Sequence, residues 1–276
     1  SLIKIIQRRC LYFWLLYNRQ EKRSPGLPLV FMPTPIRQFE NGEIYHLILR
    51  GVDGRLIFQD ENDYYRGVFS LYEFNNANPV EIGKRRMKRA NLKKKSGAQG
   101  SASLKMIEEA ETTRRDMFVE ILAFCFMPNH IHILVKQLKD DGITKFMNKF
   151  GGYAYYFNQK YQRKGHLFQD RFKAVHMENE EQLKTTFVYV HTNPVSLIEP
   201  GWKEKGIKNL EKTKQFIENY KWSSYADYIG GKNFPSLTTR DFLLEIMEGA
   251  EGCKKFVNGW LEYRAETSGA QGSANL

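Results

Sequence analysis

Residues 126–135, Phe126-Met127-Pro128-Asn129-His130-Ile131-His132-Ile133-Leu134-Val135, decide how this chain is to be read. A run of Ile, Leu, Val and Phe beside a Pro-Asn turn signal has the pattern of a buried strand. On a strand the side chains at i and i+2 share a face, so His130 and His132 point the same way. Two imidazoles set among apolar neighbours are costly to desolvate unless something satisfies them. A divalent metal does so, because neutral imidazole is the commonest protein metal ligand. The plainer reading makes one histidine a hydrogen-bonded core residue and the other a residue at the solvent edge. Two ligands do not hold a metal, so under the first reading the rest of the chain must supply more.

Composition narrows the partners. The chain has 276 residues, of which 42% are hydrophobic and 14% aromatic, enough for a substantial core in one or two domains. Lys and Arg total 42 against 31 acidic residues, a formal net charge of +11 that favours a polyanion, nucleic acid before a membrane surface. The three cysteines, Cys10, Cys125 and Cys253, are far apart and form no CxxC, which argues against a zinc ribbon or disulfide scaffold and fits a reducing, cytoplasmic setting. No stretch has the apolar length of a membrane span. Residues 10–17 are apolar and follow Arg8-Arg9, but are too short for a signal peptide and lack its small-residue cleavage site.

Outward from the histidines, residues 118–126 (FVEILAFCF) read as strand that continues through the pair to Val135, with Cys125 on that strand as a small core residue. Residues 43–50 (EIYHLILR) alternate as a strand does, and Gly51-Val52-Asp53-Gly54 turns the chain. Residues 60–75 carry helical spacing, with Tyr64, Val68, Leu71 and Phe74 on one face. Helices are also expected over 142–161, 180–190, 208–219 and 239–249, and a short strand over 172–177. Lys and Arg dominate residues 84–95. The heptapeptide Ser96-Gly97-Ala98-Gln99-Gly100-Ser101-Ala102 recurs unchanged at 268–274, with the composition of a flexible linker in one place and a tail in the other. The expected organisation is an N-terminal extension (1–31), a main domain (32–235) with a basic insertion (76–116), a C-terminal helical segment (236–265) and a disordered tail (266–276). Alternating strands and helices with hairpin-type connections favour an α+β domain on one antiparallel sheet.

Near the end of the 180–190 helix stands Tyr189-Val190-His191-Thr192-Asn193-Pro194. Tyr189 and Asn193 are four apart, hence neighbours on one helix face. An Asn amide oxygen ligates hard cations such as Mg²⁺ or Mn²⁺. Two imidazoles and an amide leave positions open for a phosphate oxygen, and a tyrosine beside such a site is a candidate nucleophile. Among 15 tyrosines, spacing alone does not choose Tyr189 over Tyr153, Tyr155, Tyr156 or Tyr161.

Taken together, MPNHIHILV, GHLFQDRFKA and YVHTNPV closely resemble the REP-associated tyrosine transposases, single-tyrosine members of the HUH (His-hydrophobic-His) group. The likeness runs from about Met32 to Tyr228 and includes the Arg50-Gly51 turn and Trp222-Ser223-Ser224-Tyr225. It implies a ferredoxin-like antiparallel sheet with helices on one side and the His-x-His on a central strand. It implies that His130, His132 and Asn193 bind Mg²⁺ or Mn²⁺, and that Tyr189 cuts single-stranded or hairpin DNA through a 5′-phosphotyrosine and rejoins it. The chain departs from the family in the insertion, at Asp170 in a loop that often carries Gly, and at both termini.

Arg50, His166, Gln169, Arg171 and Lys173 are the candidate DNA contacts. Mixed cations and aromatics in residues 165–173 suit backbone neutralisation and stacking, whereas Leu167, Phe168 and Phe172 also suit core anchoring. Three other readings compete: a non-cutting DNA-binding protein of the same fold, a nuclease in which metal-bound water attacks, and an RNA-binding module. Monomer and homodimer stay equally open.

Overall fold

The computed structural model describes residues 38–78, 115–169 and 171–272. The expected extension at 1–31, the basic run 84–95, the first copy of the repeated heptapeptide and Asp170 lie outside these residues.

Strand β1 (Ile44–Arg50) is followed by helix α1 (Glu61–Phe74), strands β2 (Val119–Met127) and β3 (His130–Gln137), helix α2 (Gly142–Lys160) and strand β4 (Lys173–His176). The strands form a sheet of order β2-β3-β1-β4 in which every neighbouring pair is antiparallel. This β-α-β-β-α-β order is the ferredoxin-like arrangement, and it puts β3, with both histidines, in the middle of the sheet. The run expected as one strand from 118 to 135 is a hairpin instead. Proline has no N–H to give a ladder, and Pro128-Asn129 form the two-residue turn that pairs Met127 with His130. Cys125 therefore lies on the partner strand, opposite His132.

Alternation along the strands divides the core in two. Tyr45, Leu47, Leu49, Ile131, Ile133 and Val135 face α1 and α2, whose Leu71, Phe146, Phe150, Tyr153 and Phe157 complete one cluster. The other face carries Leu122, Cys125, Met127 and Leu134, covered by helices α3 (Glu180–Thr192), α5 (Leu210–Glu218), α7 (Asp241–Ile246) and α8 (Gly249–Gly272). Short helices α4 (Trp202–Lys205) and α6 (Tyr225–Tyr228) lie between them in sequence. Helices thus cover both faces, a correction to the one-sided cover expected. The reason is visible in α3, where every residue from Leu183 to Thr192 is buried because α3 is sandwiched between the sheet and α8. The helix expected at 239–249 also breaks, at Glu248 and Gly249 with φ of 62° and 83°, and α8 then runs on to Gly272, past the expected start of the tail.

Two local devices position the elements. Asp60 caps α1 with a reciprocal capping box to Asp63, as a helix beginning after Gln59-Asp60 requires. On the open edge of β2, the segment 222–225 substitutes for a strand. Phe126 N–H donates to the Trp222 carbonyl at 2.8 Å, Ser224 N–H to the Phe124 carbonyl at 3.0 Å, and Phe124 N–H to Ser224 Oγ at 3.0 Å. The same hydroxyl meets His191 Nε2 of α3 at 2.8 Å. An exposed strand edge is an aggregation template, and this seal also ties α3 to the sheet. Replacing Ser224 with Ala strands a buried N–H and a buried imidazole nitrogen, an expected loss of about 1–3 kcal/mol. At about 2–4 °C per kcal/mol for a domain of this size, thermal unfolding reads the change directly. An unchanged Tm would mean that the main-chain bonds alone close the edge.

Candidate active site

His130 and His132 stand on the α3 side of β3, with ring centroids 4.9 Å apart and the rings nearly perpendicular. Tyr189 reaches them from α3; its ring is 5.4 Å from that of His132, edge-on. The next turn of the chain, a 3₁₀ helix over Asn193–Leu197 with Pro194 in its first turn, sets Asn193 just beyond Tyr189. Asn193 Nδ2 donates to the Tyr189 carbonyl at 2.7 Å, and its side chain hydrogen-bonds His130. The four residues singled out in the sequence as His130, His132, Tyr189 and Asn193 therefore meet at one spot. The other tyrosines considered lie on α2, across the sheet. Tyr153 donates to the Ile57 carbonyl, Tyr156 and Tyr161 donate to Asp63, and Tyr155 is exposed.

Three further residues belong to the site, and the sequence reading did not single out any of them. His46 of β1 lies diagonally across from His132 in the β1–β3 register, and its Nε2 is 3.0 Å from His132 Nδ1. Its signal was a polar residue on an alternating strand, but its partner depends on a register that one sequence does not display. Asn129 Oδ1 takes His130 Nδ1 at 2.7 Å. Lys203, from α4, places its ammonium 4.6 Å from the centroid of the Tyr189 ring.

The electrostatics favour neutral imidazoles. Burial pushes His46 down to about 3 and holds His132 well below the ordinary histidine range, with His130, His46 and Lys203 adding to the latter. Burial, then Arg50 and Lys203, pushes His130 down to about 3. Neutral imidazoles keep the lone pairs that metal ligation needs. His132 Nε2 is buried and has no hydrogen-bond partner among the described residues. That unsatisfied nitrogen, beside His130 and an amide, fits a divalent cation. No group of three or more His, Cys, Asp and Glu among the described residues is arranged to hold a metal. His46 does not make a third ligand, since its Nε2 is engaged by His132.

Arg50 ends β1 directly opposite His130. The loop before β4 docks against this end of β1: Val52 N–H donates to the Leu167 carbonyl at 3.0 Å and Gln169 N–H to the Arg50 carbonyl at 2.8 Å. Leu167 is buried and Phe168 packs against Phe150, so these two anchor the loop. His166 just before the anchors, Gln169 and Arg171 between them and β4, and Lys173 at the start of β4 are all exposed.

Two histidines on a central strand of an antiparallel sheet, faced by a helix-borne tyrosine and an Asn, define the class of site. Residues 90–193 match the family model described as Transposase IS200 like, a span that includes β2, β3 and α3 through Asn193. The resemblance to single-tyrosine transposases is borne out for this stretch. No curated protein matches the chain. A solved structure described as a REP-associated tyrosine transposase bound to a REP hairpin is similar at 15% identity and a TM-score of 0.40, over 76% of this chain and 93% of that one. Among the described residues no helix is long and apolar enough to cross a membrane.

Proposed function

We propose that this chain is a transposase that cuts and rejoins single-stranded or hairpin DNA through Tyr189, acting in the cytoplasm on the nucleoid. The observation that carries the reading is the meeting of Tyr189, His132, His130 and Asn193 on one face of the sheet. Tyr189 Oη attacks the scissile phosphorus, a 5′-phosphotyrosine bond forms, and the bond to the 3′ oxygen breaks to release a 3′-hydroxyl. Attack by another 3′-hydroxyl reverses the step, so phosphoester energy is conserved and no nucleotide cofactor is needed. The phenol is a weak nucleophile at its ordinary pKa, and the Lys203 ammonium lies 4.6 Å from the centroid of its ring. His130, His132 and Asn193 are the residues that would hold Mg²⁺ or Mn²⁺, which supplies Lewis-acid polarisation of the phosphate.

Incubation of the protein with single-stranded hairpin oligonucleotides and Mn²⁺ tests this directly. An SDS-resistant protein–DNA adduct that EDTA prevents is the expected result. Cleavage without an adduct would move the reading to a nuclease that uses water, and binding without cleavage to a non-cutting DNA-binding protein.

Arg50, His166, Gln169, Arg171 and Lys173 form the proposed DNA track, running from the histidine end of β1 along the docked loop. Each phosphate neutralised on a single strand contributes about 0.7 to the slope of log K against log salt. Changing Arg171 and Lys173 together to Ala is expected to flatten that slope by about 1.4. Fluorescence anisotropy in EDTA, over roughly 50–200 mM salt, measures it. An unchanged slope would move the DNA path off this loop.

A further inference from the structure

The two histidines of the site are held from behind in the same manner. Asn129 Oδ1 accepts from His130 Nδ1 at 2.7 Å, and its Nδ2 donates to the Gly54 carbonyl at 3.3 Å, which fixes the orientation of the amide. His132 Nδ1 meets His46 Nε2 at 3.0 Å, with the two rings stacked at 5.1 Å and 23°. Both rings are buried, and His132 Nε2 is left without a partner among the described residues. In a pair of neutral imidazoles one nitrogen donates and the other accepts. If His46 donates, His132 carries its single ring N–H proton on Nε2 and that atom is closed to a cation. If His46 accepts, His132 is protonated on Nδ1 and offers a lone pair at Nε2.

We propose that His46 is a positioning residue: it accepts the His132 Nδ1 proton and so presents Nε2 of His132 to a divalent cation, as Asn129 does for His130. This rests on the reading of His130, His132 and Asn193 as cation ligands. Outer-shell partners of metal-bound histidines set tautomer and ring orientation, and their loss costs roughly 10–100-fold in metal affinity.

Mn²⁺ binding to the DNA-free protein, followed by EPR titration, tests the proposal without recourse to activity. His46→Phe, which fills the space but accepts no proton, is expected to weaken Mn²⁺ by roughly 10–100-fold with the circular-dichroism spectrum unchanged. His46→Gln, whose Oε1 can accept from Nδ1, is expected to recover most of the affinity. A merely structural role for His46 would not follow that order. Wild-type affinity in a folded His46→Phe protein would overturn the proposal. Nitrogen-15 NMR of the Mg²⁺-saturated wild type gives a measurement independent of any variant. His132 protonated on Nδ1 is expected, and a proton on Nε2 would overturn the proposal. Absence of Mn²⁺ binding in the wild type would take down the ligand assignment itself, a result seen before any variant is compared.

Discussion

Tyr189→Phe is expected to abolish the covalent protein–DNA adduct and to lower strand cleavage by on the order of 10⁴-fold or more, the scale of losing a covalent nucleophile. The substitution removes one oxygen and keeps the ring. The edge-on packing of Tyr189 against His132 and the Lys203 ammonium over its ring both involve the ring itself, so the site keeps its shape. Stability is expected to fall by no more than about 1.5 kcal/mol, the net worth of one hydrogen bond. Binding of hairpin DNA in EDTA is expected to hold at the wild-type level, since the proposed contacts lie on β1 and the loop before β4. The assay is denaturing-gel detection of labelled oligonucleotide, for both adduct and cleaved strand. Full cleavage by the Phe variant would sink the tyrosine mechanism and leave water as the attacking group. Cleavage by Tyr189→Phe alongside an adduct would point to one of the α2 tyrosines, an outcome the geometry opposes. Their hydroxyls face the other side of the sheet, and burial raises the phenols of Tyr153, Tyr156 and Tyr161.

The second large effect is on stability. Asp63 has no exposed surface, yet its carboxylate takes the Gln59 N–H at 2.8 Å, the Lys160 ammonium at 2.7 Å and the Tyr161 hydroxyl at 2.8 Å. Removing one partner of a buried charged network leaves the others unpaired, which costs about 3–5 kcal/mol. Lys160 keeps its bonds to Asp60 and its side chain is 27% exposed, so the lower end applies. Asp63→Ala is thus expected to cost about 3 kcal/mol, a fall in Tm of about 6–12 °C. The damage spreads toward the histidines. Gln59 and Asp60 continue from Ile57 and Phe58, whose N–H groups both donate to the Pro128 carbonyl at the tip of the hairpin, at 2.8 and 3.2 Å. Faster hydrogen exchange at Ile57 and Phe58 should accompany the lower Tm. A loss under about 1 kcal/mol would mean that solvent replaces the network at little cost.

What could be seen in the sequence was whatever is encoded locally. The spacing of His130 and His132, the helical periodicity of residues 60–75, and the four-residue step from Tyr189 to Asn193 are each complete within a short stretch. The α+β class and the antiparallel sheet followed from those pieces, and the family resemblance added the central position of the histidine strand. What could not be seen depends on pairing at a distance. His46 acquires meaning only once β1 is set beside β3 in register. Trp222-Ser223-Ser224-Tyr225 could be recognised as a motif, but its role as a cover for the β2 edge appears only when it lies along Phe124 and Phe126. Lys203 sits in an irregular stretch after Pro200 that carries no periodic signal. The expectation of helices on one side failed for a related reason. The almost complete burial of α3 comes from its place between the sheet and α8, which begins 57 residues after α3 ends, and nothing in the α3 sequence alone announces it.

The place where residues 79–114 leave and rejoin the described chain has a consequence for how the molecule tolerates change. Asp116 and Ala77 are joined across the gap, Ala77 N–H donating to the Asp116 carbonyl at 2.7 Å, while Asn76 Oδ1 accepts from Asp116 N–H at 3.3 Å. Asn75 completes the clasp by accepting from Phe118 and Val119 and donating back to the Val119 carbonyl. The two ends, at residues 75–77 and 116–119, are thus already fastened to each other. Val119 pairs with Gln137, at the far end of β3 from His130; along the strand the clasp stands about 23 Å from His130 and about 16 Å from His132. Changing the number of residues between these fastened ends is expected to cost little, because closure entropy grows slowly with length, and to leave the histidine end of the sheet unchanged.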